Sequence, residues 1–227
     1  MTRIGIVTGT RIEAACFAPR TAVCSGTDAP RARDVARRLV AEGCQALASV
    51  GTAGGLHPEL TPGALVIAVS VVGPDGLAQE THAPWRAALA AALEGGGLSV
   101  RLAAVAGSDA AVLHVDGKRR LFERTGALCV DMESHAVAAV AAEAGVPFLA
   151  VRAVADPAHR VLPHAALASV GPGGDLRPAA LLAALAARPG EIGQMVRLAR
   201  DSRRALGSLR RVAVLGGPTL SLLFPLA

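Results

Sequence analysis

Four short apolar runs in this chain are each followed at once by small or acidic residues, and this repeated layout restricts the fold more than any other feature. The runs are Ile4–Thr8 before Gly9-Thr10-Arg11-Ile12-Glu13, Ala46–Val50 before Gly51-Thr52-Ala53-Gly54-Gly55, Ala127–Val130 before Asp131-Met132-Glu133-Ser134, and Phe148–Val154 before Ala155-Asp156-Pro157. A nearly continuous apolar run reads as a strand buried on both faces. In an open parallel α/β sheet, ligands bind beyond the carboxyl ends of the strands. If the four runs are neighbouring parallel strands, one crevice collects Glu13, Thr52, Glu133 and Asp156. Carboxyl groups, a hydroxyl and glycines that allow close approach suit a neutral, hydroxyl-rich ligand that becomes cationic as it reacts.

The 227 residues fit one α/β domain, and an apolar share of 52% with only 2% aromatics favours small aliphatic side chains around a buried sheet. Asp28-Ala29-Pro30 opens a helix to about Glu42, which Gly43 closes. Ala64–Val72 and Val100–Ala106 read as further strands, Gly51–Pro62 as a loop and Pro74-Asp75-Gly76 as a turn. Pro84–Leu93, Asp116–Arg124 and Ser134–Ala144 read as helices. After Asp156 a proline- and glycine-rich crossover leads to helices near Pro178–Ala187 and Glu191–Leu209. No repeat or long linker divides the chain. It reads as a single domain over 1–227, with a core over 1–158, a helical C-terminal region over 178–211 and an uncharged apolar tail over 212–227.

Net charge is +5, and much of the excess lies in two arginine groups. Arg31, Arg33, Arg37 and Arg38 read as a solvated helix face. Arg197, Arg200, Arg203, Arg204, Arg210 and Arg211 precede the apolar tail, and two readings stand there: peripheral contact with an anionic membrane, or a tail packed on the domain or a subunit interface. Nucleic acid is not indicated, because no aromatic stacking platform accompanies the arginines. The four cysteines form no CxxC pair, and no leader is read at the start, which points to a reducing cytoplasmic compartment, at the inner face of the membrane if the tail binds there. The six histidines show no metal-ligand spacing, and no apolar stretch reaches the ~20 residues needed to span a bilayer.

Each corner also has an ordinary structural reading. Glu13 can serve the first turn of a helix, Gly51–Gly55 a tight turn, Glu133 the start of the next helix, and Asp156 a turn before Pro157. Taken together at equivalent strand ends they point to a site. The glycine segment is not a Walker A loop, no GxGxxG follows a strand, and no GxSxG elbow is present.

The segments GIVTGTRIEA (5–14), SVGTAGGLHPELTPGALVIA (49–68) and CVDMESHAVAAVAAEAGVPFLAVRAVADPA (129–158) resemble the nucleoside phosphorylase and nucleosidase superfamily, which contains purine nucleoside phosphorylases and methylthioadenosine/S-adenosylhomocysteine nucleosidases. Within it the chain is most similar to hopanoid-associated phosphorylases, through VDMESHAVA, ADPAHRVLPHAAL and RPGEIGQMVRLARDSRRAL. The resemblance implies a three-layer α/β/α fold with a mixed, mostly parallel central sheet. It implies cleavage of the N-glycosidic bond of an adenosine-type nucleoside, adenosylhopane in hopanoid biosynthesis, with adenine released by phosphorolysis or hydrolysis. The alternatives are a methylthioadenosine/S-adenosylhomocysteine-type nucleosidase, or a non-catalytic ligand- or membrane-binding module on the same fold. It implies no cofactor beyond phosphate as a co-substrate, and a homo-oligomer, a dimer in the first instance.

The resemblance also implies roles. Asp156 acts as general acid at the purine N7 and so needs a raised pKa, while Glu13 orients or deprotonates the attacking water. Glu133 takes the ribose hydroxyls and Met132 packs against the sugar. Gly9, Arg11, Gly51, Thr52, Ala53 and Gly54 hold the water or phosphate, and Asp109 and Ala155 the base. The sequence departs from the family pattern twice. Where phosphorylases carry a phosphate-gripping arginine, it has Ser49, and two readings stand for Arg11: a substitute for that arginine, or a surface residue. Where nucleosidases stack the base on an aromatic, it has Gly107-Ser108-Asp109-Ala110-Ala111, so the base is left to aliphatic contacts and backbone, or to a residue elsewhere in the chain.

Overall fold

The computed structural model describes residues 3–17, 22–218, 220 and 221. In chain order its elements are β1 (Ile4–Thr8), α1 (Arg11–Ala14), β2 (Ala22–Cys24), α2 (Ala29–Ala41), β3 (Ala46–Gly55), β4 (Leu65–Val72), β5 (Ala78–Glu80), α3 (Ala83–Gly95), β6 (Val100–Gly107), α4 (Val115–Thr125), β7 (Cys129–Asp131), α5 (Ser134–Ala144), β8 (Phe148–Asp156), α6 (His164–Ala168), α7 (Pro178–Ala187) and α8 (Ile192–Gly216).

The central strands alternate their side chains between two apolar layers, which is why their sequences are apolar throughout. On β3 and β8, Leu47, Ala53, Ala150 and Val154 face a core shared with Ala32, Ala36 and Leu39 of α2 and Val137, Val140 and Ala141 of α5. Ala48, Val50, Leu149, Val151 and Ala153 face the opposite core, with Trp85, Leu89 and Leu93 of α3 and Ala205, Leu209 and Val212 of α8. The result is a three-layer α/β/α sandwich. Alanines bury little area each, but they let α2 and α5 approach the sheet closely. The larger aliphatic side chains contribute roughly 1.5–3 kcal/mol apiece. Local signals fix the helix ends: Asp28 accepts a hydrogen bond from the Arg31 N–H at 3.0 Å, with Pro30 in the first turn of α2.

The strand order is β2-β1-β3-β7-β6-β4-β5, with β8 paired to both β3 and β4. Pairs β1–β2, β1–β3, β3–β8, β4–β6 and β6–β7 are parallel, while β3–β7, β4–β5 and β4–β8 are antiparallel. The sheet is therefore mixed and mostly parallel. Strands β3, β8, β4, β6 and β7 form a closed circuit, each bonded to the next and β7 back to β3.

Three expectations need correction. Gly51–Gly55 is not the start of a loop: it continues β3, because its backbone groups are taken by β8 on one side and, at Gly54 and Gly55, by β7 on the other. A register shift between Ala53 and Gly54 bends the strand and brings Gly54 opposite Asp156. β7 is antiparallel to β3, so the corner runs are not all parallel neighbours. And α8 does not stop at Leu209. Its buried stripe, Asp201, Ala205, Leu209, Val212 and Gly216, keeps helical spacing into the segment expected as a separate tail. The described end of that tail packs on the domain: Val212 and Leu220 are buried, and the indole N–H of fully buried Trp85 donates to the Leu220 carbonyl at 2.8 Å. The expected tail leucines Leu222, Leu223 and Leu226, with Phe224, lie outside the described residues. No helix among the described residues is long and apolar enough to cross a membrane.

Candidate active site

Glu13 is set by a capping box on the short helix α1. The Thr10 hydroxyl accepts from the Glu13 N–H at 3.3 Å, and the Glu13 carboxylate accepts from the Thr10 N–H at 2.8 Å through Oε2. Its other oxygen, Oε1, reaches across to β3 and accepts from both the N–H and the hydroxyl of Thr52, each at 2.7 Å. So the capping role and the site role are filled by the same carboxylate. Gly51 lies beneath it, where a Cβ would stand 3.2 Å from Oε1.

Glu133 is held by a buried polar floor. Arg152 of β8, 1% exposed, donates from Nε to Asp131 Oδ2 at 2.5 Å and from Nη2 to the Ser49 and Ser134 hydroxyls at 2.6 and 2.8 Å. Asp131 Oδ1 in turn accepts the backbone N–H groups of Glu133 and Ser134 at 2.9 and 2.7 Å, fixing the start of α5. Burial pushes the Asp131 carboxyl up, but the Arg152 charge and the hydrogen bonds from Arg152 and Ser134 hold it below the ordinary aspartate range. Among the described residues no cation bonds the Glu133 carboxylate directly. Burial first, then the Asp131 charge with a smaller addition from Glu13, pushes its carboxyl up to about 8, against the pull of Arg152 and a smaller one from a backbone hydrogen bond at Met132. Ser49 thus accepts from a buried arginine of β8.

Asp156 ends β8, and its Oδ2 accepts from the Lys118 ammonium at 2.5 Å. Burial raises the Asp156 carboxyl from its ordinary range; Lys118 and Arg160 oppose this, and Asp201 adds to it. Arg160 itself pairs with Asp201 of α8.

These carboxyl groups line one cavity of about 240 Å³. Of the residues expected from the sequence, Gly9, Glu13, Thr52, Ala53, Gly54, Met132, Glu133, Ala155 and Asp156 line it. Ala110, Ala111, Val112, Leu162 and Leu198 supply an aliphatic wall. The remaining expected residues lie elsewhere. Gly51 is covered by Glu13. Arg11 is exposed on α1, where its N–H donates to the Gly174 carbonyl at 3.0 Å. Asp109 is turned outward by the bend after β6 and meets His135 Nε2 at 3.1 Å, so the next residues, Ala110 to Val112, face the cavity in its place. Lys118, bonded to Asp156, is the neighbour of the site that the sequence does not mark. It sits in a helix with exposed Asp116, Arg119, Arg120, Glu123 and Arg124, and only its place beside Leu121 on the buried face of α4 could have marked it. Among the described residues no group of His, Cys, Asp and Glu is arranged to hold a metal ion.

The solved structures that share this architecture include Helicobacter pylori 5′-methylthioadenosine/S-adenosylhomocysteine nucleosidase with butyl-thio-DADMe-Immucillin-A, at 17% identity and TM-score 0.71, covering 92% of this chain and 97% of the other. The Campylobacter jejuni nucleosidase of the same name matches at 16% identity and TM-score 0.68, covering 95% of this chain and 100% of the other. Helicobacter pylori futalosine hydrolase matches at 20% identity and TM-score 0.64, covering 69% of this chain and 88% of the other. At these identities the likeness establishes the fold. Among curated protein sequences, none matches. The model of the phosphorylase superfamily matches residues 16–187, and with that match over most of its length the chain belongs to the phosphorylase superfamily.

Proposed function

We propose that this protein is an enzyme that cleaves the N-glycosidic bond of an adenosine-type nucleoside by hydrolysis and releases adenine. Breaking that bond builds positive charge on the ribose and negative charge on the departing base. Glu133 takes the ribose hydroxyls, with Met132 packed on the sugar, and in its ionised form, reached toward pH 8, it stabilises the ribosyl cation in the transition state. Asp156 protonates the leaving base, for which its raised carboxyl is suited. Glu13 takes a proton from the attacking water.

The observation that carries the choice of water over phosphate is the Glu13–Thr52 contact. The N–H and hydroxyl of Thr52, which an incoming phosphate would need as donors, are both taken by the Glu13 carboxylate at 2.7 Å. An anion there would meet a carboxylate, whereas a neutral water is oriented by it. The test is adenine release from 5′-methylthioadenosine and from adenosylhopane in detergent, with and without millimolar phosphate. Equal rates support hydrolysis; a rate that requires phosphate overturns it.

The same reading places the physiological substrate among adenosines with a large apolar 5′ substituent, adenosylhopane of hopanoid biosynthesis above all, handled by a cytoplasmic homodimer at the inner membrane face. Its support is the resemblance of the C-terminal segments and the exposed apolar residues of the C-terminal region. Every residue of α7 is apolar and none is buried. Val161, Leu167, Leu176, Leu182, Ile192 and Val196, spread along the chain from the crossover into α8, are all exposed, as are Arg188, Arg197 and Arg200. An apolar helix flanked by arginines fits an anionic lipid surface. Co-sedimentation with anionic vesicles at low salt, lost in Leu182→Glu, supports the contact. Equal sedimentation of both forms, or a Leu182→Glu variant that turns a dimer into a monomer with no change in vesicle binding, overturns it.

A further inference from the structure

Lys118 is 1% exposed, in a helix whose other charged side chains face solvent. Its ammonium donates to Asp156 Oδ2 at 2.5 Å and to the carbonyls of Pro157 and Arg160 at 2.9 and 3.0 Å. All three donors of the ammonium are therefore used, and the loop leaving β8 is tied to the same nitrogen as the carboxylate. Removing a lysine from water costs several kcal/mol, and an apolar residue would fill this place on α4 without that cost. The contact also sorts the two oxygens of Asp156. Oδ2 is committed to Lys118, whereas Oδ1 takes no hydrogen bond from the described residues, and the residue lines the cavity.

We propose that Lys118 is the positioning residue of the proton donor: it turns Oδ1 of Asp156 toward the leaving base and carries the countercharge once that oxygen has lost its proton. The inference rests on the glycosidase reading. In the step itself, the Oδ1–H bond breaks and a ring nitrogen of the base takes the proton. The C1′–N bond breaks with its electron pair going to the base, and water adds to C1′ and gives a proton to Glu13. Asp156 is left as a carboxylate against an ammonium, so the step ends in an ion pair instead of a lone buried anion. The charged groups facing Asp156 are Lys118 from α4, Arg160 from the loop after β8, and Asp201 from α8, the last two paired with each other. Burial alone raises the Asp156 carboxyl and lowers the Lys118 ammonium; each group counters the shift in the other.

The sign of the effect follows. Asp156 acts while protonated, so activity falls as pH rises through its titration, and Lys118 sets that fall at a lower pH than burial alone would. The experiment is the pH profile of kcat/KM for adenine release from 5′-methylthioadenosine by wild type, Lys118→Met and Lys118→Arg, with the Asp156 carboxyl followed in parallel by carbon NMR. Lys118→Met should lower kcat about 10-fold or more, a modest part of what a general acid supplies. It should also move both the alkaline limb and the Asp156 midpoint up by about 1–3 pH units, while Lys118→Arg, which keeps the charge, restores the limb. Wild-type turnover with an unmoved limb and midpoint in Lys118→Met overturns the role of Lys118. Absence of adenine release from every form, wild type included, with 5′-methylthioadenosine and with adenosylhopane in detergent alike, overturns the glycosidase reading instead.

Discussion

Gly9 has no side chain where the Glu133 carboxylate lies: a Cβ at position 9 would stand 2.7 Å from Glu133 Oε1. The end of β1 and the start of α5 are thus fitted to each other through a missing methyl group. Gly9→Ala should force the carboxylate aside and lower kcat/KM at least about 10-fold, since misplacement on the order of 1 Å in a site can cost 100-fold. Circular dichroism and the melting temperature should stay near wild type. Full activity in Gly9→Ala would show that Glu133 does not need its observed position.

The raised carboxyl of Glu133 links function to stability. The native state keeps a proton up to about pH 8 that the unfolded chain releases near pH 4. Between those values the folded form therefore binds more protons, and stability falls as pH rises. Glu133→Gln lacks this loss. Its melting temperature should match wild type near pH 5 and exceed it increasingly toward pH 8, while kcat falls more than KM rises. Parallel melting curves at all pH values would contradict the linkage.

Arg152 is the only cation bonded to Asp131 among the described residues. Arg152→Met leaves Asp131 buried without a counter-ion and should cost about 3–5 kcal/mol in urea unfolding at neutral pH. Adding Asp131→Asn should return more than half of that loss, because the stranded charge is gone. A double variant no better than the single one would mean that packing of the arginine, not its charge, holds the floor.

Thr52→Val removes one of the two donors to Glu13 Oε1 and keeps the side-chain shape. A hydrogen bond to a charged group is worth about 1.5–3 kcal/mol, so kcat/KM should fall about 10- to 100-fold if that bond orients the base toward water. Steady-state kinetics at saturating substrate would show the loss in kcat. A loss confined to KM would make Thr52 a residue of substrate binding.

The corners were legible because each is local: an apolar run followed by a small or acidic residue can be read within ten positions. What was not legible depends on partners far apart in the chain. Asp109 and Ala110 differ by one residue, yet only the bend after β6 and the nearness of His135 decide which of them faces the cavity. Lys118 looks like its exposed neighbours, and its value comes from Asp156, thirty-eight positions away. Gly51–Gly55 has the composition of a turn and becomes a strand because β8 and β7 flank it on both sides. The end of α8 is hidden in the sequence for a simpler reason. Arg210 and Arg211 suggest a solvated terminus, but they are exposed on the face opposite the buried stripe, which runs on to Gly216.

The closed circuit of β3, β8, β4, β6 and β7 has a consequence for life at high concentration. A strand with an unbonded flank is a template for pairing with another chain, and a sequence that is 52% apolar supplies many segments able to pair. Here the five strands of the circuit lend their flanks to one another. Among the described residues the outermost strands of the sheet are β2 and β5, each three residues long, and β5 carries Gln79 and Glu80. The geometry that gathers the carboxyl groups also leaves little open sheet on which a second molecule could nucleate an aggregate.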